Sequence, residues 1–124
     1  MDRGLTVGEA AAKVGLSAHT LRWYEQEGLV EPVGRDGAGR RRYESGDVDW
    51  LMLLTRLRTT GMSVRDMRRY AELARRGPHT VTERRRLFEE HKARVLERIA
   101  DLHRDLEAIN VKIEIYRRME HEQQ

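Results

Sequence analysis

Residues 6–43 read TVGEAAAKVGLSAHTLRWYEQEGLVEPVGRDGAGRRRY, and the punctuation of this stretch divides it into two short helices and a hairpin. Thr6-Val7-Gly8-Glu9 has the form of a capping box, in which a hydroxyl accepts the N–H three residues on and the carboxylate reaches back. A helix over about 7–13 follows, with Val7, Ala10, Ala11 and Val14 on one face. Gly15 offers a left-handed stop, Leu16 plugs the turn, and Ser17 caps a second helix that runs to about 27 and closes at Gly28. In that helix Leu21, Tyr24 and then Leu29 face inward, which leaves His19, Thr20, Arg22 and Trp23 largely outward. Pro32 forbids further helix, and Gly34, Gly37 and Gly39 mark the tip of a hairpin between strands over roughly 31–35 and 40–43.

Outward from this stretch the chain is helical. Ser45 caps a third helix over about 46–59, with Val48, Leu51, Leu54 and Leu57 as its buried stripe and Trp50 and Met52 beside it in the core. Gly61 ends it. Ser63-Val64-Arg65-Asp66 opens a fourth helix that runs to about 75, where Gly77-Pro78 stops it. Thr80-Val81-Thr82-Glu83 caps the last and longest helix, about 81–119. Its apolar positions Val95, Ile99, Leu102, Leu106, Ile109, Ile113 and Tyr116 alternate steps of four and three without a break; Phe88 lies upstream, and Lys92 alone interrupts the extended register. A strict 3.5-residue period calls for a partner helix, because a lone helix would leave that seam in water. At 1.5 Å per residue the helix is on the order of 55–60 Å long, too long to fold back on so small a head. The organisation expected is a head over 1–77, a dimerisation helix over 78–120 and a short tail over 121–124.

Composition narrows the function classes. Charged residues make up 36% and hydrophobic residues 39% of the 124, the profile of a helix-rich chain with much exposed charged face. No apolar run approaches the roughly 18–20 residues of a membrane span, and the start Met-Asp-Arg-Gly lacks the apolar stretch of a signal peptide, so a cytoplasmic protein is expected. Cysteine is absent, which excludes disulfides, thiolate metal sites and thiol redox sensing. The five histidines form no ligand spacing, no serine–histidine–acid grouping stands out, and Gly37-Ala38-Gly39 does not link a buried strand to a helix as a phosphate loop does. Neither an enzyme nor a metal or other cofactor is expected.

The location of charge says more than its sum. Residues 1–76 carry 14 Lys+Arg against 11 Asp+Glu, whereas residues 77–124 carry 10 of each. The whole excess of +3 thus lies in the first part, and residues 34–43 alone hold four Arg and one Asp. On the second helix Ser17, His19 and Thr20 stand where helix N–H groups and short side chains can meet phosphates, and Arg22 reaches a phosphate or a guanine edge. An ordinary helical hairpin with a solvated polar face would look similar. The arginines after the glycine-rich tip tilt that balance towards DNA. Alternation along a hairpin puts Arg41 and Tyr43 on one face and Arg40 and Arg42 on the other, so that one face can follow a phosphate backbone while the other caps the domain. Trp23 either stacks on the sugar-phosphate at the groove edge or packs under the wing, and its position beside Arg22 leaves both open.

These residues resemble the MerR family of bacterial transcription regulators. The likeness is carried by Leu16-Ser17-Ala18-His19-Thr20-Leu21-Arg22-Trp23-Tyr24-Glu25, Gly28-Leu29-Val30-Glu31-Pro32, Gly39-Arg40-Arg41-Arg42-Tyr43 and Gly61-Met62-Ser63-Val64-Arg65-Asp66-Met67, in order, over about the first 75 residues. The resemblance implies a winged helix-turn-helix head with an antiparallel coiled coil; heptads alone do not fix the strand direction. It implies a homodimer on an inverted repeat between promoter elements set too far apart, which bends and untwists the DNA so that RNA polymerase engages both. It also implies DNA contacts, mostly to the backbone, from the positions of Arg22, Trp23, Arg41 and Tyr43, with Thr20 and His19 on the groove side. Three departures stand out. Gly34 replaces a usual arginine and Arg40 a usual aromatic, which offers Arg35 as a substitute contact. Trp23 replaces the commoner tyrosine or phenylalanine. The cysteines of metal and redox members are missing, and the stop at Gln124 leaves no room for a drug-binding domain.

The reading is a mostly α-helical, dimeric regulator that contacts DNA through Ser17, His19, Thr20, Arg22, Trp23, Arg35, Arg41 and Tyr43. Its control is open between a small apolar effector or an electrophile, sensed without a thiol, near Met119, Tyr116 and the partner's head, and constitutive action set by concentration or a partner. Two other readings are an architectural or excisionase-like DNA bender and a coiled-coil adaptor whose head binds protein.

Overall fold

The computed structural model describes residues 4–30, 34–40 and 42–124. Among the described residues five α-helices follow in order: α1 (Val7–Val14), α2 (Ala18–Gln26), α3 (Ser45–Thr59), α4 (Val64–Arg76) and α5 (Val81–Glu122), with a 3-10 turn (Pro78–Thr80) leading into α5. The chain forms two compact units, Met1–Leu87 and Phe88–Gln124. The division falls inside α5, ten residues beyond the boundary expected at 77, and Arg69 of α4 pairs with Glu83 on the first turn of α5 at 3.2 Å. Helix also runs through the first two residues, His121 and Glu122, of the stretch expected as a tail.

Local chemistry sets the helix ends. The Glu9 N–H donates to the Thr6 hydroxyl at 3.1 Å and the Thr6 N–H to the Glu9 carboxylate at 3.0 Å, which completes the capping box of α1. Gly15, at φ 74°, turns the chain in the left-handed region, where a side chain would be strained. There the Leu16 N–H returns to the Ala11 carbonyl at 2.9 Å. Ser17 and Ser63 cap α2 and α4 through their hydroxyls. At α3 the expectation is corrected by one residue: Ser45 is the first helical residue, and it is the Asp47 carboxylate that accepts the Glu44 N–H at 2.9 Å.

The first unit buries Ala10 and Ala11 of α1, Leu21 and Tyr24 of α2, Val48, Leu51, Leu54 and Leu57 of α3, and Met67, Ala71 and Leu73 of α4. The predicted stripes are therefore the core. Met52 is not part of it; lying 100° round α3 from Leu51, it faces solvent. Trp50 is half-buried, stacked on Tyr70 with ring centres 5.1 Å apart. The strands predicted over 31–35 and 40–43 are not seen as strands among the described residues, and 31–33 and 41 lie outside them. Arg35 and Tyr43 are single bridge residues, and Tyr43 pairs with Leu5 in an antiparallel bridge. That bridge brings Gly4 so close that a Cβ there would lie 2.9 Å from the Tyr43 carbonyl oxygen.

In the second unit every side chain from residue 96 to 114 is exposed. Ile99, Leu102, Leu106, Ile109, Ile113 and Tyr116 are among the most exposed large apolar residues of the molecule, and Val95 is half-covered. Among the described residues no helix is long and apolar enough to cross a membrane.

Candidate nucleic-acid interface

α2 is held at both ends, and its outer face is built between the two anchors. At its start the Ser17 hydroxyl accepts the Thr20 N–H at 3.0 Å and lies 2.9 Å from the Thr20 hydroxyl, so two of the predicted contact residues tie the first turn together. At its end three side chains from α3 and α4 donate to consecutive carbonyls: Arg68 to Glu27 at 3.3 Å, Arg75 to Gly28 at 2.9 Å and Trp50 to Leu29 at 2.7 Å. Arg68 also pairs with the Glu27 carboxylate. Cationic donors at a helix C-terminus satisfy its orphan carbonyls and oppose the negative end of its dipole. The result is a short helix with fixed axis, whose Leu21 and Tyr24 are locked in the core.

His19 and Arg22 project from that axis into solvent, as expected, and Thr20 is half-covered. Trp23 is half-buried, tilted against Tyr24 at 5.7 Å, with the Arg58 guanidinium 5.2 Å from its ring centre. Neither of the two placements expected for Trp23 included this arginine. Its only hint in the sequence is that Arg58 falls outside the α3 core stripe, one turn before the helix stop.

The wing is organised by one carboxylate. Asp36 accepts the Ala38 N–H at 2.9 Å and the Arg40 N–H at 3.0 Å on one oxygen, and the Arg42 guanidinium at 3.1 Å on the other. Backbone bonds from Asp36 to Arg40 and from Arg42 to Gly34 close the hairpin. The Arg40 N–H foremost holds the Asp36 carboxyl below the usual carboxylate range, against a smaller push upward from burial. Arg40 and Arg42 share a face, as alternation predicts: both reach Asp36, with Arg42 turned in and the Arg40 side chain 71% exposed. Arg35 is exposed but folds its guanidinium onto the Gly39 carbonyl at 2.7 Å, bracing the tip. Arg41, assigned to DNA from sequence, lies outside the described residues.

Tyr43 departs from the sequence reading. It is fully buried and its hydroxyl donates to the Glu25 carboxylate, so its ring faces the core and fixes the base of the wing against α2. Tyr43 has no exposed surface left for DNA.

A family profile described as MerR HTH family regulatory protein matches residues 5–74, and a second, described as MerR, DNA binding, matches residues 48–120. The chain belongs to the MerR family. An HTH-type transcriptional regulator of Haemophilus influenzae is 44% identical over 113 residues, 91% of this chain and 84% of its own. The regulator AdhR of Bacillus subtilis is 32% identical over 93 residues, 75% of this chain and 66% of its own. Among solved structures, HiNmlR, a MerR family regulator lacking the sensor domain and bound to promoter DNA, superposes with a TM-score of 0.83 at 44% identity, covering 91% of this chain and 90% of its own. A MerR family transcriptional regulator from Listeria monocytogenes superposes at 0.86 with 32% identity, covering 91% and 86%. This MerR-family chain is accordingly a transcriptional regulator with a helix-turn-helix DNA-binding head and a long C-terminal helix.

Proposed function

We propose that two copies of this regulator join along α5 and bind an inverted repeat in promoter DNA, each α2 entering a major groove while each wing follows the adjacent backbone. The observation that carries the DNA contact is the outer face of α2. Arg22 stands there in solvent with no acidic partner among the described residues, on a helix anchored at both ends. His19 and Arg22 meet base edges or phosphates, Ser17 and Thr20 set the N-terminal turn against phosphate, and Trp23 borders the groove. On the wing, Arg35, Arg40 and Arg41 supply backbone contacts. The seam Val95, Ile99, Leu102, Leu106, Ile109, Ile113 and Tyr116 supplies the dimer, since so regular an apolar row exposed on one helix is stable only when paired.

The likeness to a promoter-bound relative supports a role at promoters in the cytoplasm, where the dimer distorts DNA and so changes its engagement by RNA polymerase. The reading is tested with duplex DNA from upstream of its own gene. Binding through several phosphates weakens by orders of magnitude between about 50 and 200 mM salt. A protein that shows no salt-sensitive binding, or keeps full affinity as Arg22→Ala, does not work this way.

A further inference from the structure

We infer that the cleft between α3, α4 and the segment after α2 is a binding site for a small zwitterion with an apolar body, the class of the free apolar amino acids. The cleft has a volume of about 220 Å³ and is formed wholly by residues of the first unit. An apolar cavity of about 150 Å³ admits a benzene molecule, so there is room for a ring or a branched alkyl group with two small charged ends. Buried Leu29 and Val30, with Ala71 and Ala74 of α4, make the lining apolar, and Trp50 forms part of the wall. Two residues of opposite charge, Asp47 of α3 and Arg75 of α4, line the same cleft. Neither enters an ion pair among the described residues. Asp47 accepts the Glu44 N–H on Oδ2 at 2.9 Å, and Arg75 donates one N–H to the Gly28 carbonyl at 2.9 Å.

Charge complementarity identifies the occupant. Elsewhere in the head Arg42, Arg68, Arg69 and Arg76 face carboxylates, whereas in this cleft a cation and an anion stand unmatched. A guanidinium carries five N–H donors, so Arg75 keeps an edge for a carboxylate, and Asp47 keeps Oδ1 for an ammonium group. A purely cationic ligand would face Arg75 and a purely anionic one Asp47; a zwitterion meets both. Its apolar body would displace water from the Leu29 and Val30 side. Occupancy also has a consequence for α2, because Arg75 and Trp50 hold the Gly28 and Leu29 carbonyls behind it. A ligand seated against both residues fixes that clamp and so favours the DNA-binding placement of α2; this coupling rests on the DNA-binding reading above. The competing account is that Arg75 only clamps α2, Asp47 only caps α3, and the cleft holds water.

Calorimetric titration of the full-length protein without DNA separates the two. The probes are L-phenylalanine and L-leucine, with phenethylamine and hydrocinnamate as analogues that each lack one charge. At least one amino acid is expected to bind saturably with a Kd of about 1 mM or below, and both analogues roughly tenfold more weakly. Asp47→Asn keeps the cap acceptor and removes the charge, Arg75→Gln removes the cation, and Ala74→Leu fills the cleft while leaving both charges in place. Each is expected to weaken binding roughly tenfold or more. No saturable binding to the wild-type protein, equal binding of the single-charge analogues, or wild-type affinity in any of the three variants overturns the site. With a duplex carrying its own footprinted operator, a saturating amino acid is expected to raise DNA affinity about fivefold or more. Unchanged DNA affinity overturns the coupling. Failure of the underlying reading looks different, since the protein would then bind the amino acid and show no salt-sensitive binding of DNA at all.

Discussion

Leu54 and Leu102 sit on regular helices with apolar neighbours three and four residues away, yet Leu54 is fully buried and Leu102 is 61% exposed. The first belongs to a head whose stripes converge on one another, and whose polar termini are closed by its own residues. The second belongs to a helix whose apolar row meets nothing in its own unit. Six such side chains, with the half-covered Val95 before them, follow a 3.5-residue period on α5, and each is worth roughly 1.5–3 kcal/mol once covered. In the reading proposed above, the head is finished by folding and the helix by association. On that proposal DNA recognition needs both, because one short α2 grips a few base pairs, and a second copy at fixed spacing multiplies that grip.

The contrast is broken most directly in the seam. Leu102→Asp places a charge where two helices would meet and is expected to give monomers on a sizing column while the head keeps its thermal unfolding transition. Operator affinity should then fall by about 10²–10⁴-fold, the usual gain from linking two readers. A dimer that survives Leu102→Asp and Leu106→Asp together would mean that the exposed row has another use. In the head the matching test is Tyr43→Ala, which removes a fully buried ring and the hydrogen bond to Glu25. It should cost about 3–5 kcal/mol in urea unfolding, with the dimer seam untouched. A loss of DNA affinity without a loss of stability would return Tyr43 to the interface.

Smaller effects mark the joints of the head. Gly4→Ala sets a Cβ 2.9 Å from the Tyr43 carbonyl oxygen at a φ of 68°, and neither the backbone atom nor the dihedral yields cheaply. The expected cost is about 1–3 kcal/mol by thermal denaturation, because the Leu5–Tyr43 bridge must open to admit it. Ser17→Ala removes the cap of α2 and its link to Thr20, for about 1 kcal/mol and a weaker DNA complex.

The same contrast explains what could be read beforehand. Helix positions and core stripes were legible because caps such as Thr6–Glu9 and periods such as Val48, Leu51, Leu54 and Leu57 are local properties of the chain. The regular apolar row of α5 was legible for the same reason. Alternation left open which face of the wing is inward, and the resemblance offered Tyr43 as a DNA contact; its burial is decided by Leu5 and Glu25, 38 and 18 residues away in sequence. The clamp on α2 by Trp50, Arg68 and Arg75 and the stacking of Arg58 on Trp23 likewise depend on pairings between distant segments, for which the chain carries no periodic signal.

The smallest expected effect separates the wing from the rest of the head by pH. The Asp36 carboxyl is held down first by the Arg40 N–H, then by the Ala38 N–H and the Arg42 guanidinium; the Glu9 carboxyl is held down by Thr6. A carboxyl depressed in the folded state stabilises fully above its unfolded pKa of about 4, and that contribution is lost as pH falls through the lower folded value. Near neutral pH the wing should therefore be indifferent to acid, and its opening should begin only below about pH 4. The Ala38 and Arg40 amide resonances report the event directly, since Asp36 is their acceptor. Asp36→Asn should abolish the titration at those two amides while leaving that of the Thr6 and Glu9 amides in place. If Ala38 and Arg40 still titrate in Asp36→Asn, some other acid holds the tip, and the wing is less self-contained than its hydrogen bonds imply.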